Sequence, residues 1–348
     1  MNPRSVQTIA LSTSQKQYGT QTMPTEQGYK CILVATDFSP SSDAALQQAV
    51  WLARKAGAKM TLAHTLPDLR RVVHSASYKA KLDLLCGEGS AFQREVRQQS
   101  DTRMRKMVVE LNAADLDITI ETLLGAPETE ITHSIQQEGY DLVLAGSRGL
   151  GAWERFFVGS TAKRLIRNCP ASVWIVKARH VGAPKVVLAS TDFSEASRKA
   201  VLHGLWVARQ ANADFHLLHV FDSMDIPEEV IAKEARYAAL RQEINEDATQ
   251  RLDEFVQSLD TDRSRVHSHL SWGTPWKEIC RTAQHLSVDL IALGTVGRSG
   301  IKGILLGNTV EQVLGTCDCS ILTVKPDGFV SPIEPVSWPL HPGSSTNP

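Results

Sequence analysis

The sequence lacks any run of the ~18–20 apolar residues that a membrane-spanning helix needs. Residues 1–30 lack the basic start and apolar core of a secretory signal, so none is expected. An excess of charge is also missing. Lys and Arg number 37 against 38 Asp and Glu, a formal net charge of -1. Binders of nucleic acid or of anionic membranes usually carry a basic surplus, so neither class is expected. Cysteine is sparse, with 6 in 348 residues, too few for a disulfide framework. Cys31, Cys86, Cys169, Cys280, Cys317 and Cys319 are therefore expected as reduced thiols in a cytoplasmic protein. What remains is an ordinary globular composition, 42% hydrophobic and 22% charged, in a chain long enough for two or three domains.

The chain repeats itself. Lys30-Cys31-Ile32-Leu33-Val34-Ala35-Thr36-Asp37-Phe38-Ser39 returns as Lys185-Val186-Val187-Leu188-Ala189-Ser190-Thr191-Asp192-Phe193-Ser194. The register continues through Trp51/Trp206, Arg54/Arg209 and His64/His219. After a length change between His64 and Gly125 it resumes at Gly125/Gly273, Pro127/Pro275, Asp141/Asp289, Gly146/Gly294, Gly149/Gly297, Gly159/Gly307 and Cys169/Cys317. Identities held over several elements indicate duplication of one module. The halves are expected at 29–178 and 183–326, joined by the short Val181-Gly182-Ala183-Pro184. Residues 1–28 are polar and aperiodic, and 327–348 hold Pro332, Pro335, Pro339, Pro342 and Pro348. Both read as mobile tails.

Within each half, short apolar runs alternate with helical patterns. Cys31–Thr36, Ala58–His64, Ile118–Leu124, Asp141–Ala145 and Ser172–Lys177 read as strands. Pro40–Ala56, Pro127–Glu138 and Ser160–Arg167 read as helices, and about Ser75–Ala114 as helix interrupted near Gly87–Gly89. The second half repeats the order, with Glu228–Leu259 as its long helical arm. This alternation predicts α/β architecture: two tandem doubly wound parallel sheets, each of strand order 3-2-1-4-5, packed as an intrachain pseudo-dimer.

The chemistry concentrates after the fourth strand. Gly146-Ser147-Arg148-Gly149-Leu150-Gly151 opens a loop that reaches Gly159-Ser160-Thr161, where a helix begins. Glycines let backbone approach an anion, and the helix start offers N–H groups and a positive dipole end to phosphate. The Ser160 hydroxyl can add a hydrogen bond or ligate a phosphate-bound Mg²⁺. In an open sheet of this order, ligands sit where the strand order reverses, between strands 1 and 4. That puts Asp37 opposite Gly146, with Gly125 near the rim. The second half supplies Gly294, Gly297, Gly307, Asn308 and Thr309, with Asp192 across the crevice. Asn308 caps a helix well but partners Mg²⁺ or phosphate less well than serine.

The frame G-x2-G-x9-G-S at Gly146–Ser160, the two strand-end aspartates and their recurrence together resemble the universal stress protein family in its tandem form. The likeness covers nearly all of the chain except the tails. Gly146–Ser160 matches the family's nucleotide-binding frame in full, and Gly294–Gly307 matches except at Asn308. The resemblance implies ATP held with Mg²⁺ or Mn²⁺, slow or absent hydrolysis, and a stress role through nucleotide-dependent binding of a protein partner. It also implies that backbone at Thr65 and Val220 meets the adenine and that the Gly125 loop approaches the ribose. Family members often associate through the last strand, here Ser172–Lys177 and Ser320–Lys325. In this chain those edges either satisfy each other or leave room for a homodimer of tandem chains.

Other features have plain readings beside their functional ones. His64 and His219 end equivalent strands and are expected as packed, hydrogen-bonded histidines. Cys317-Asp318-Cys319 has too few ligands nearby for a metal site. Arg148 and Arg155 either meet phosphates or stay solvated. The 228–259 arm is expected to cover its own sheet rather than dock a partner. Trp272 and Trp276 are expected to pack rather than stack on a base. No residue in the glycine motif has an obvious water-activating role, and there is no Walker frame. An adenylating enzyme of related fold would need a phosphate loop after the first strand, where Thr36-Asp37-Phe38-Ser39-Pro40 supplies none. The remaining alternative is a nucleotide-free scaffold or chaperone-like protein with an empty or apolar-ligand crevice.

Overall fold

The computed structural model of the chain describes residues 28–68, 90–149, 158–177, 181–221, 235–259, 261–262, 265–296 and 306–335. Strands β1 (Cys31–Thr36), β2 (Lys59–Leu66), β3 (Ile118–Leu124), β4 (Leu142–Gly146) and β5 (Ser172–Val176) belong to the first half. Strands β6 (Val186–Thr191), β7 (Asp214–Phe221), β8 (Val266–Trp272), β9 (Leu290–Gly294) and β10 (Ser320–Val324) belong to the second. The helices are α1 (Pro40–Ala56), α2 (Ala91–Glu110), α3 (Pro127–Glu138), α4 (Ser160–Asn168), α5 (Glu195–Ala211), α6 (Ala235–Gln257), α7 (Pro275–His285) and α8 (Asn308–Thr316).

Each half has the expected order. The halves fuse into one ten-stranded sheet, β3-β2-β1-β4-β5-β10-β9-β6-β7-β8. Pairing within each half is parallel, and β5 meets β10 antiparallel through Ile321↔Ile175, Leu322↔Trp174 and Thr323↔Val173. The two last-strand edges therefore satisfy each other. β5 and β10 are buried along their whole length, which is why their sequences are continuously apolar or small rather than alternating.

Two hydrophobic cores sandwich the sheet, and each runs across both halves. One joins Leu46, Leu52 and Met104 to Val201, Phe215 and Leu252. The other joins Ile131, Leu165 and Ile175 to Ile279, Val313 and Ile321.

Polar contacts repeat the symmetry. Lys325 Nζ crosses to the C-terminus of α4 and donates to Ile166 O at 2.6 Å and Arg167 O at 3.0 Å. Lys177 Nζ reciprocates at α8, donating to Leu314 O at 3.1 Å and to Cys317 O. Each lysine neutralises orphan carbonyls at the negative end of the other half's helix. Burial lowers the pKa of both amines, that of Lys325 to about 8. On the opposite face Tyr29 crosses to α5, where its hydroxyl shares a 2.6 Å hydrogen bond with His203 Nδ1 and its ring meets Trp206 edge-on. The matching contact runs from Gly182 N to Gln48 Oε1, 3.0 Å.

Two sequence expectations change. Cys280 and Cys317 are not free thiols: they form a disulfide with Cα atoms 5.6 Å apart. Packing of α7 on α8 brings these distant positions together, whereas Thr132 stands where the first half would need the partner of Cys169. Residues 327–335, read as part of a mobile tail, touch the body. Asp327 pairs with buried Lys199 at 2.6 Å, Phe329 lies under Lys325, and Ile333 O accepts from Gln136. The long arm is described from Ala235 to Gln257 and packs on its own sheet through Leu252 and Val256, as expected, while its residues 228–234 lie outside the described residues. Residues 1–27 and Cys86, Gly87–Gly89 and Arg155 lie outside the described residues.

Candidate functional site

The turn after β1 sets the site. Phe38 adopts φ +63°, an unfavourable value for an aromatic residue, and Phe193 repeats it at the same value. Thr36 Oγ1 accepts from Phe38 N at 3.0 Å, and Thr191 Oγ1 does the same for Phe193 N. The turn leaves Ser39 to cap α1 by accepting from Ser42 N, and Asp37 Oδ1 accepts from Ser39 N at 3.1 Å. A bend that strains a large side chain identically in both halves positions the aspartate preceding it.

Asp37 then faces a crevice of about 430 Å³ at the carboxyl ends of β1 and β4. Asp37, Thr65, Gly146, Gly149, Gly159, Ser160 and Thr161 all line it, as the sequence predicts. Gly125 does not. It has φ +145°, its N–H donates to Leu66 O at 2.9 Å, and the Glu130 carboxylate packs against it. Pro127 and Ile131 form that wall instead. The apolar remainder, Ala35, Ala63 and Ala145, comes from small strand-end residues that the motif did not single out. His64 is a packed histidine, as expected, donating from Nδ1 to Thr36 O at 2.8 Å, with its ring tilted against Phe38 at 4.3 Å between centroids. It lines the crevice as well. Arg148 lines it too, with its backbone held by Ser41 and Ser39.

The glycines differ in purpose. A Cβ on Gly146 would strike the Ser41 backbone at 2.6 Å, so glycine there lets β4 approach α1. A Cβ on Gly149 would meet Asp37 Oδ2 at 2.7 Å. Gly159 has an ordinary φ of -59°, and among the described residues no atom lies nearer than 3.7 Å to a built Cβ. Packing among the described residues therefore does not demand glycine at 159, just ahead of α4. That end of α4 has no side-chain cap among the described residues, while α1, α2 and α5 are capped by Ser39, Ser90 and Ser194. The amides of Ser160, Thr161 and Ala162 precede the first i→i−4 bond, Lys163 N to Gly159 O, and all three residues line the crevice.

The second half reproduces this frame in part. A Cβ on Gly294 would meet Ala196 O at 3.0 Å, Gly307 N donates to Thr295 O at 2.8 Å, and α8 starts with Asn308 and Thr309 without a side-chain cap among the described residues. Asp192 accepts from Ser194 N and Oγ. Val220 follows His219 at the end of β7. Gly297 lies outside the described residues. Trp272 stacks on Phe221 at 4.6 Å and donates to Asn245 Oδ1, so it packs, as expected.

The duplicated sheet and its strand-end crevice define a tandem protein of doubly wound α/β fold. The chain belongs to the universal stress protein family, whose description it matches twice, over residues 28–177 and 184–325. It is 27% identical over 315 residues to Universal stress protein E of Escherichia coli strain K12, covering 88% of this chain and 97% of that one. It is 24% identical over 309 residues to the Universal stress protein E homolog of Haemophilus influenzae, covering 86% and 98%. Among solved structures, a universal stress protein from Archaeoglobus fulgidus superposes with TM-score 0.59 at 20% identity, covering 85% of this chain and 98% of that one. A protein from Pseudomonas aeruginosa UCBPP-PA14 does so with the same TM-score and identity, covering 86% and 94%.

Proposed function

We propose that the first half binds ATP with Mg²⁺ or Mn²⁺ and that its occupancy governs docking of a protein partner in a cytoplasmic stress response. The uncapped start of α4 beneath Gly159 carries this reading. A triphosphate there meets the Ser160, Thr161 and Ala162 amides and the positive end of the helix. The Ser160 hydroxyl supplies an oxygen to the tail or to the cation that travels with it. Asp37 and the backbone at Thr65 address the nucleoside, with Ala63 and Ile131 as apolar walls. The crevice volume lies within the ~300–1,000 Å³ usual for small-molecule sites. The protein's part is to bind and orient, with turnover at most slow. The second crevice, with Asn308 in place of serine, is the weaker site.

Calorimetric titration with Mg·ATP tests the assignment. Gly159→Val adds bulk at the start of α4 and is expected to weaken binding at least tenfold without lowering the melting temperature. Ser160→Ala, which removes one hydrogen-bonding hydroxyl worth about 1 kcal/mol, should weaken it about fivefold. Unaltered affinity in a folded Gly159→Val protein would refute the site.

A further inference from the structure

The two halves have diverged at one patch far from the glycine loops. In the second half β7 and β8 carry His216, His267 and His269, with His216 directly opposite His267 and His269 opposite Leu218. Side chains two apart on a strand share a face, and those opposite or diagonal on a neighbouring strand lie within reach. The three imidazoles do meet. His216 Nδ1 and His269 Nε2 are 2.8 Å apart, and the His216 ring stacks on His267 at 4.9 Å and on His269 at 5.1 Å. His267 is exposed and the other two are half-buried. The first half places Thr61, Thr119 and Glu121 at the matching register, and the Tyr140 hydroxyl donates to Thr61 Oγ1. Val288 stands in the place of that tyrosine, so at this register the second half has three histidines where the first has two threonines and a glutamate.

We propose that His216, His267 and His269 form a Zn²⁺ site that ties the edge strand β8 to β7. Two residues alternating on one strand and a third on its neighbour offer three nitrogens to one side of an ion and leave a fourth position to water. Neutral imidazole suits Zn²⁺ and its borderline neighbours, while Mg²⁺ and Ca²⁺ prefer oxygen. With Zn–N bonds of about 2.0–2.1 Å, two nitrogens in tetrahedral coordination sit roughly 3.3 Å apart, so the 2.8 Å pair needs only to open slightly. The hydrogen bond now shared by the two rings is replaced by two metal bonds. In the metal-free arrangement the rings stack, and no three ligating groups among the described residues surround a common centre. The exposed His267 supplies the third nitrogen by turning about its side-chain torsions.

The test is Zn²⁺ titration of chelator-treated, nucleotide-free full-length protein by calorimetry, with Co²⁺ absorption as a coordination probe. One Zn²⁺ per chain at micromolar affinity or tighter is expected, with the intense visible bands of four-coordinate Co²⁺. His267→Asn and His269→Asn should each weaken binding at least tenfold while the metal-free melting temperature stays unchanged; His285→Asn, outside the trio, should bind as the parent does. Zn²⁺ should raise the parent's melting temperature and not that of His267→Asn. Absent saturable binding, thiolate-type Co²⁺ bands, or affinity untouched in His267→Asn and His269→Asn would overturn the proposal.

Discussion

Gly146, Gly149 and Gly159 are indistinguishable letters in the sequence frame, yet their surroundings separate them. Gly146→Ala drives a methyl into the Ser41 backbone and should destabilise the fold by about 1–3 kcal/mol, whereas Gly159→Ala should shift stability by under ~0.5 kcal/mol. Urea denaturation of the two variants checks this difference. Asp37 was legible because it ends a buried apolar run and recurs as Asp192. That Pro127 rather than Gly125 of that loop lines the crevice was not legible: the Gly125 N–H bond to Leu66 and its Glu130 contact arise from tertiary packing, which spacing does not encode.

His203 gives a second prediction at this scale. Burial, aided by the neighbouring Lys199 charge, lowers its pKa to about 3, and its Nε2 has no partner among the described residues. The unfolded chain, with a histidine near the ordinary 6.5, binds more protons between those values. Stability is therefore whole above about pH 6.5 and is lost as the pH falls toward about 3, by up to ~1.4 kcal/mol per pH unit from this one group. Gln48 occupies the matching place in the first half. His203→Gln should flatten the fall of melting temperature between pH 6.5 and 4. An unchanged acid limb would show that His203 does not titrate as its burial demands.

At the scale of elements, strands and helix starts were readable because β1, β4, β5 and their repeats are buried on both faces, and because Ser39 and Ser194 announce their helices. The disulfide was hidden. A sequence separation of 37 residues gives no sign that the middle of α7 meets the end of α8. The histidine trio was hidden for the same reason, since strand register unites positions 216 and 267. Closing a loop of that length should contribute about 2–4 kcal/mol. Cys280→Thr, which installs the first half's residue, should melt lower than the oxidised parent and be insensitive to dithiothreitol. The parent should fall to the variant's value on reduction. An identical melting temperature with and without reductant would contradict the contribution assigned to that bond.

Across the whole molecule, the duplication in the sequence implied two sheets, and the family resemblance implied that β5 and β10 would seek partners. Their antiparallel union makes one sheet and two cores that ignore the boundary between halves. The chain should therefore unfold in a single calorimetric transition. Thr323→Pro at the junction, where Thr323 Oγ1 donates to Val173 O, removes a strand amide in the centre of the sheet. It should split that transition in two. The N-terminal contact of Tyr29 with α5 was invisible in the sequence, because the polar segment before it masks one aromatic residue with a distant partner.

The most direct measurement of the nucleotide reading is native mass spectrometry of the freshly purified intact chain, beside Gly159→Val prepared identically. The predicted spectrum shows the parent carrying one ATP with its divalent cation and the variant without that increment. A parent chain at its bare polypeptide mass after incubation with Mg·ATP, or one carrying an apolar ligand instead, would contradict it.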